Sequence, residues 1–239
     1  MGVRKNQKNL TQAEWTALIN AIKAMHGTAA APPAYRQFVK LHVKAMSMAG
    51  MSWHVHTMRM NDGTVSLGLN FLPWHRHFTH LFEKRLQQVD PSVTVPYWNS
   101  VADRAIPAAL DDPALLSALS VERDWDPTQL ADPSDLAAVR VFSGTFRGFQ
   151  ASLEGTVHAG THNAVGGDMA GAASPTDPLF WLHHAFIDKT WAEWQASPHG
   201  KNPPNMTEVM KPAQMAPGVP FGVAVNAVVD IATLGYSYA

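Results

Sequence analysis

Apolar residues recur at helical spacing in four stretches of the chain, and capping or proline signals mark where those stretches begin. The first runs through Trp15, Leu18, Ile19, Ile22 and Met25 and stops at Gly27. Thr11-Gln12-Ala13-Glu14 precedes it with the pattern of a capping box, so a helix starts there. His26, next to the closing glycine, suits the negative end of the helix and is not read as a ligand. After a loop over 28–33, the spacing predicts a second helix over 34–49, burying Tyr35, Phe38, Leu41, His42, Ala45 and Ala49. A third helix opens at Pro73, carries His75, Thr79, Phe82 and Leu86 on one face, and ends before Pro91. His77 and His80 point away from that face and are expected at the surface or just behind it.

The fourth stretch is the most sharply marked. Asp177 is a suitable N-cap and Pro178 fits the first helical position, where a missing N–H costs nothing. Phe180, His184, Asp188, Trp191 and Gln195 then share one face, while His183 points about a quarter-turn away. Upstream, His158 and His162 are four residues apart, so on a helix both imidazoles project the same way. Two histidines from one helix and one from the next suffice to hold a metal ion. A second group of three can be assembled from His42, one of His54 or His56, and His75. A lone histidine such as His42 on an apolar face is ordinarily a hydrogen-bonded core residue; its companions make it a candidate ligand.

Between these helices the pattern is weaker. Residues 51–58 read as irregular or briefly extended, with a polar turn at Asn61-Asp62-Gly63. Short helices are expected over 136–142 and 145–153, and a strand over 223–233. Glu122, Arg123, Asp124 and Asp126 read as a solvated loop. The Gly- and Ala-rich stretch 163–173 is expected to form a loop of small residues over the site.

Composition narrows the chemistry. With 239 residues and 46% hydrophobic content the chain can bury a large core, and one domain over 1–239 is expected. A net charge of −1 points to neither nucleic acid nor a membrane surface as a partner. Charged residues make up 15%, against about a quarter in an average protein, which favours a loop-rich enzyme with much buried surface. The absence of cysteine excludes disulfides, thiolate metal sites and cysteine nucleophiles, and twelve histidines stand out against it. The first ten residues are polar and basic, so no signal peptide or membrane anchor is expected there.

Two motifs carry a family resemblance. Phe71-Leu72-Pro73-Trp74-His75-Arg76, with Thr79 and Glu83 following, and Asp177-Pro178-x-Phe180 leading to His184 and Asp188, resemble the two copper-site motifs of the tyrosinase family. That family comprises tyrosinases, catechol oxidases and related type-3 copper proteins. Tyr35 to His42 resembles its first-ligand helix, Pro96-Tyr97-Trp98-Asn99 its Pro-Tyr-Trp-Asp turn, and Leu234-Gly235-Tyr236-Ser237-Tyr238 the end of its catalytic core, so the likeness spans nearly the whole chain. It implies a mainly α fold: an antiparallel four-helix bundle holding a dicopper centre, with long loops and a few short strands. It also implies two copper ions as cofactors, O2 as co-substrate and small phenols as substrates. No C-terminal extension over the site is expected. A helper protein that delivers copper is an expected partner, and the expected location is the cytoplasm, or outside the cell by export with that helper.

Transferred residue by residue, the resemblance implies His42 and His75 as ligands of the first copper, and His158, His162 and His184 as ligands of the second. His184 matches rather than His183, because the family ligand stands four residues before the aspartate. The middle ligand of the first copper departs from the pattern, since Ser66 occupies the usual place. An insertion over 57–70 and the distance from His42 favour His56, with His54 as the alternative. Glu154 resembles the glutamate that positions a water near the second copper, and Asn163 is a candidate to orient the substrate ring. Where many family members with monophenol activity carry Asn after the first ligand of the second copper, this chain has Ala159. A stronger preference for diphenols or o-aminophenols over monophenols is therefore expected. Six neutral imidazoles suit copper and leave positions open for oxygen. A zinc hydrolase, which needs one ligand set with an acid or base beside it, fits two sets poorly. A hemocyanin-like oxygen carrier is the alternative from another class.

Overall fold

A computed structural model describes residues 2–27, 34–46, 56, 58–59, 65–66, 70–210, 219 and 221–239. The loop over 28–33, residues 47–49 of the second expected helix, His54 and the Asn61-Asp62-Gly63 turn lie outside the described residues. Strand β1 (Gly2–Arg4) leads into helix α1 (Gln12–His26), which starts with the expected capping box: Thr11 Oγ1 accepts from the Glu14 N–H at 3.2 Å, and Glu14 accepts from the Thr11 N–H at 2.8 Å. Helix α2 (Tyr35–Met46) buries the anticipated face, Tyr35, Phe38, Leu41, His42 and Ala45. A two-residue antiparallel hairpin, β2 (Met58–Arg59) with β3 (Val65–Ser66), precedes helix α3 (Phe71–Val89).

Helix α3 begins two residues before Pro73, which therefore occupies its third position. First-turn N–H groups lack intrahelical partners anyway, so proline is tolerated there. Short helices α4 (Pro113–Leu119), α5 (Pro133–Arg140) and α6 (Phe146–Leu153) follow. Helix α6 does not end where its apolar pattern fades. It continues through a π-helical turn (Glu154–His158) into α7 (Ala159–Val165), so one bent helical rod carries both His158 and His162. Helix α8 (Leu179–Ala196) is capped by the Asp177 carboxylate, which accepts from the Leu179 N–H at 2.8 Å. Pro178 sits at the boundary in helical conformation, one residue earlier than the hydrogen-bonded helix. The strand expected over 223–233 is reduced to β5 (Val223–Ala224), paired with β4 (Val209–Met210). A 3-10 turn over Val225–Ala227 follows, then turns to β6 (Tyr236–Tyr238).

The core lies between α2, α3 and α8 and is largely aromatic. Trp181 of α8 stacks on Phe82 of α3 with ring centroids 3.7 Å apart and planes 4° from parallel, and Phe38 of α2 meets both rings edge-on. Aromatic rings supply much buried area with few rotatable bonds, so this cluster fixes the three helices against one another. The fold is mainly helical, and its described strands are each two or three residues long.

A buried ionic cluster fastens the chain ends to the same helices. β1 and β6 pair in parallel, Arg4 opposite Tyr238. Arg4 reaches Glu83 of α3 at 3.0 Å and Asp188 of α8 at 3.3 Å. Asp188 also accepts from Arg76 Nε, from Tyr236 Oη at 2.6 Å and from Tyr238 Oη at 2.5 Å. Burial alone would raise the Asp188 pKa, but Arg76 and Arg4 outweigh it and hold the carboxyl below its ordinary value. The aspartate that follows His184 by one turn thus braces α8 against α3 and makes no hydrogen bond to His184.

Two sequence expectations are corrected. Arg123, read as part of a solvated loop, has a side chain only 6% exposed that grips Asp177 from Nε and one terminal nitrogen at 2.6 and 2.8 Å, tying that loop to the start of α8. His77, expected at the surface or just behind the site, is buried against Phe221 with ring centroids 4.8 Å apart. Phe221 comes from a distant segment, which no local pattern could reveal. Among the described residues no helix is long and apolar enough to cross a membrane.

Candidate metal centre

Histidines from five separate stretches meet in the middle of this bundle. His42 comes from α2, His75 from α3, and His56 from the segment between α2 and β2; ligand atoms of these three lie within 4.8 Å of one another. Each ring is held from behind. His42 Nδ1 donates to the Ala172 carbonyl at 2.6 Å, His75 Nδ1 to the Phe71 carbonyl at 2.9 Å, and His56 Nδ1 to Glu154 Oε1 at 2.8 Å. An acceptor on Nδ1 fixes the proton there and leaves the Nε2 lone pair facing inward. The Nε2 of His75 is buried with no hydrogen-bond partner.

The second group contains His158, His162, His183 and His184, again with ligand atoms within 4.8 Å. His158 Nδ1 donates to the Glu154 carbonyl at 3.3 Å and His162 Nδ1 to the Met169 carbonyl at 2.6 Å. The Nε2 atoms of His162 and His184 approach to 3.4 Å. The two groups adjoin: the His75 and His184 rings stack with centroids 4.2 Å apart and planes 12° from parallel. Sequence reasoning left His183 a quarter-turn away from the site. The structure brings it to the edge of the second group, fully buried, 5.1 Å from His162 between ring centroids, with neither ring nitrogen hydrogen-bonded.

Burial keeps these rings neutral. It lowers the His42 pKa to about 3 and that of His162 to about 4, and it pushes His75, His158, His183 and His184 well below the usual histidine value. Neighbouring imidazoles add to the shift, because a proton on one ring repels a proton on the next. At neutral pH these six rings therefore present uncharged nitrogen donors.

Glu154 opens the π turn, and its carboxylate accepts from His56, a member of the first group. The extra residue of a π turn re-aims the side chains that follow it. Here one turn supplies a carboxylate to His56 and a carbonyl to His158. The small-residue loop lies over the site as expected, but it also works on the histidines, since Met169 and Ala172 supply the carbonyls that hold His162 and His42. Gly166 and Gly167 let it turn there, with φ of +63° and +50°. A Cβ on Gly167 would meet the Glu122 carbonyl oxygen at 2.1 Å.

A cavity of about 400 Å³ opens onto both groups, lined by His42, His56, His158 and His162 together with Ala159, Asn163 and the loop. Asn163 is exposed at its edge. Copper fits this donor set. Two facing clusters of imidazoles, with Nδ1 protons anchored on five rings and a buried unpartnered Nε2 on His75, present inward lone pairs that can each take a cation.

Comparison with known proteins agrees with this geometry. The common central domain of tyrosinase matches residues 32–128 and 113–197. The tyrosinase of Streptomyces antibioticus is 33% identical, over 89% of this chain and 93% of that protein. Grixazone synthase of Streptomyces griseus is 27% identical over 81% of this chain and 84% of its own length. Among solved structures, a polyphenol oxidase variant from Thermothelomyces thermophila superposes with a TM-score of 0.72 at 19% identity, covering 100% of this chain and 89% of that one. A functional unit of octopus hemocyanin gives 0.70 at 20% identity, covering 100% and 68%. At such identities the structural likenesses speak for the fold alone, whereas the sequence matches establish the kinship: this chain belongs to the tyrosinase family.

Proposed function

We propose that the chain is a type-3 copper oxidase that uses O2 to oxidise o-diphenols to o-quinones, two diphenols and one O2 giving two quinones and two waters. The observation that carries this reading is the pair of adjoining imidazole clusters opening on one cavity. His42, His56 and His75 would hold one copper, and His158, His162 and His184 the other. His184 is preferred to His183 because its Nε2 lies 3.4 Å from that of His162 and its ring stacks on His75. His56 is preferred to His54 because the Glu154 carboxylate anchors its Nδ1. Bound copper supplies the means to take up O2 and the two electrons of each diphenol.

The chain's own residues set the geometry and the proton traffic. Carbonyls of Phe71, Glu154, Met169 and Ala172 keep the Nδ1 protons in place, so these rings do not turn or titrate during turnover. The cavity admits a ring beside His42, His56, His158 and His162, and Asn163 stands where it can orient that ring. A phenol has a pKa near 10, so its proton needs an acceptor close to the site. Glu154 is engaged with His56, and Ala159, next to His158, has no side-chain amide to hold a water. A monophenol is thus poorly served, and oxidation of diphenols or o-aminophenols predominates over ortho-hydroxylation. Residues 1–239 act in this reading as one catalytic domain, with copper supplied by a helper protein.

The test is oxygen uptake and quinone absorbance with copper-loaded protein and 4-methylcatechol, against 4-methylphenol. Rapid oxidation of the catechol and slow oxidation of the phenol is the expected result. Reversible oxygen binding without catechol oxidation would assign the chain to oxygen carriage instead.

A further inference from the structure

Helix α3 opens with N–H groups that have no acceptor within the helix. One of them is met from outside: the Leu72 N–H donates to Oε1 of Gln150, a residue of α6 that is 1% exposed, at 3.2 Å. The same peptide unit, Phe71–Leu72, presents its carbonyl to His75 Nδ1 at 2.9 Å. One peptide plane thus stands between Gln150 and an imidazole of the first group. A peptide whose N–H is hydrogen-bonded is polarised, and its carbonyl becomes a stronger acceptor. That carbonyl fixes the plane of the His75 ring and makes its Nε2, the nitrogen left for a metal, a better donor. Gln150 also stands one turn before Glu154, whose carboxylate accepts from His56 Nδ1 at 2.8 Å. Two members of the first group are therefore supported by the rod whose own histidines, His158 and His162, belong to the second.

We infer that Gln150 is a positioning residue for the first copper, acting on His75 through the Phe71–Leu72 peptide. The inference rests on the reading of His42, His56 and His75 as one copper site. Without the Gln150 oxygen the buried Leu72 N–H loses its acceptor, which drives the peptide to tilt and carries the Phe71 carbonyl away from His75. The effect is directional. A side chain that merely packed α6 against α3 would serve the rod, and its loss would reach His158 and His162 at least as strongly as His75. The hydrogen-bonded chain from Gln150 ends on His75. Loss of the direct partner of a liganding imidazole costs about 10–100-fold in metal affinity; Gln150 acts one peptide further out, so about three- to tenfold is expected.

The experiment measures copper affinity by chelator competition on the full chain, with each site read separately. His184→Ala leaves the first site to report, and His75→Ala leaves the second. In the His184→Ala background, Gln150→Met, which keeps the length of the side chain but not its oxygen, should weaken copper binding by about three- to tenfold. In the His75→Ala background the same change should stay within about twofold. Gln150→Glu, which keeps an acceptor oxygen, should restore first-site affinity. A spectroscopic readout accompanies these: with one Cu(II) bound in the His184→Ala background, the electron spin-echo modulation of the remote imidazole nitrogens reports their N–H hydrogen bonds. It should change in Gln150→Met and return in Gln150→Glu. Should Gln150→Met not fold, Gln150→Asn, which draws the oxygen back by one carbon, is held to the same expectations. First-site affinity within about twofold of the parent with an unchanged echo pattern, or equal weakening of both sites, would overturn the inference and leave the copper reading standing. Failure of the wild-type chain to bind two coppers would overturn that reading as well.

Discussion

Replacing Glu154 separates two roles for this residue. The sequence resemblance gives it a water-positioning role near the second copper; in the structure its carboxylate accepts the Nδ1 proton of His56 at 2.8 Å, and its backbone carbonyl accepts from His158. Glu154→Ala keeps that carbonyl and removes the carboxylate, so the damage should fall on one group of histidines. His56 itself is not helical, and the other members of its group, His42 and His75, are held by carbonyls that the change does not touch. Loss of the partner that orients a liganding imidazole lowers metal affinity by about 10–100-fold, equivalent to about 1.4–2.7 kcal/mol. Titration of the metal-free protein with copper against a calibrated chelator should show one site weakened by that factor and the other within about twofold of wild type. Glu154→Gln, whose side-chain oxygen can still accept from Nδ1, should recover much of the loss. Weakening confined to the copper bound by His158, His162 and His184, identified through His184→Ala as a reference, would refute the argument and return Glu154 to the second site.

Three further outcomes follow from the structure. Asp188→Asn leaves Arg4 and Arg76 buried beside a neutral group, so the protein should lose about 3–5 kcal/mol in chemical denaturation, and an unchanged midpoint would contradict the bracing role of this cluster. Gly167→Ala places a methyl group 2.1 Å from a backbone oxygen at a φ of +50°, and should lower the melting temperature of the metal-free protein and weaken copper binding through the displaced Met169 carbonyl. Retention of both properties would show that the loop yields without cost. In the metal-free protein, His26, His77, His80 and His162 have pKa values lowered to about 4 and His42 to about 3, chiefly by burial, while the unfolded chain takes up those protons near pH 6.5. Their contribution is whole above about pH 6.5 and is lost as the pH falls toward 4. Urea midpoints measured at pH 7, 5.5 and 4.5 should therefore fall steeply, and a flat series would exclude buried neutral histidines.

What the sequence determined by itself is local in origin. Helical periodicity placed α1, α2, α3 and α8, because a buried face repeats at the pitch of the helix whatever it packs against. The same periodicity gathered His42, His75, His158, His162 and His184 as candidate metal ligands, and the resemblance of the Pro-Trp-His and Asp-Pro motifs to the tyrosinase family implied that the metal is copper. It also set a small-residue loop beside them. The tertiary structure decided everything that depends on groups distant in the chain. That Ala172 holds His42, that Glu154 reaches His56, and that Asp188 serves Arg4, Arg76 and the closing tyrosines are facts about partners more than 40 residues apart. His183 illustrates the limit well: adjacency to His184 argued it out of the site, and only the approach of the rod carrying His158 and His162 brought it to the edge. The π turn at Glu154–His158 had no sequence signal either, since a one-residue shift in hydrogen bonding changes neither composition nor apolar spacing enough to be read, yet it sets where that carboxylate points.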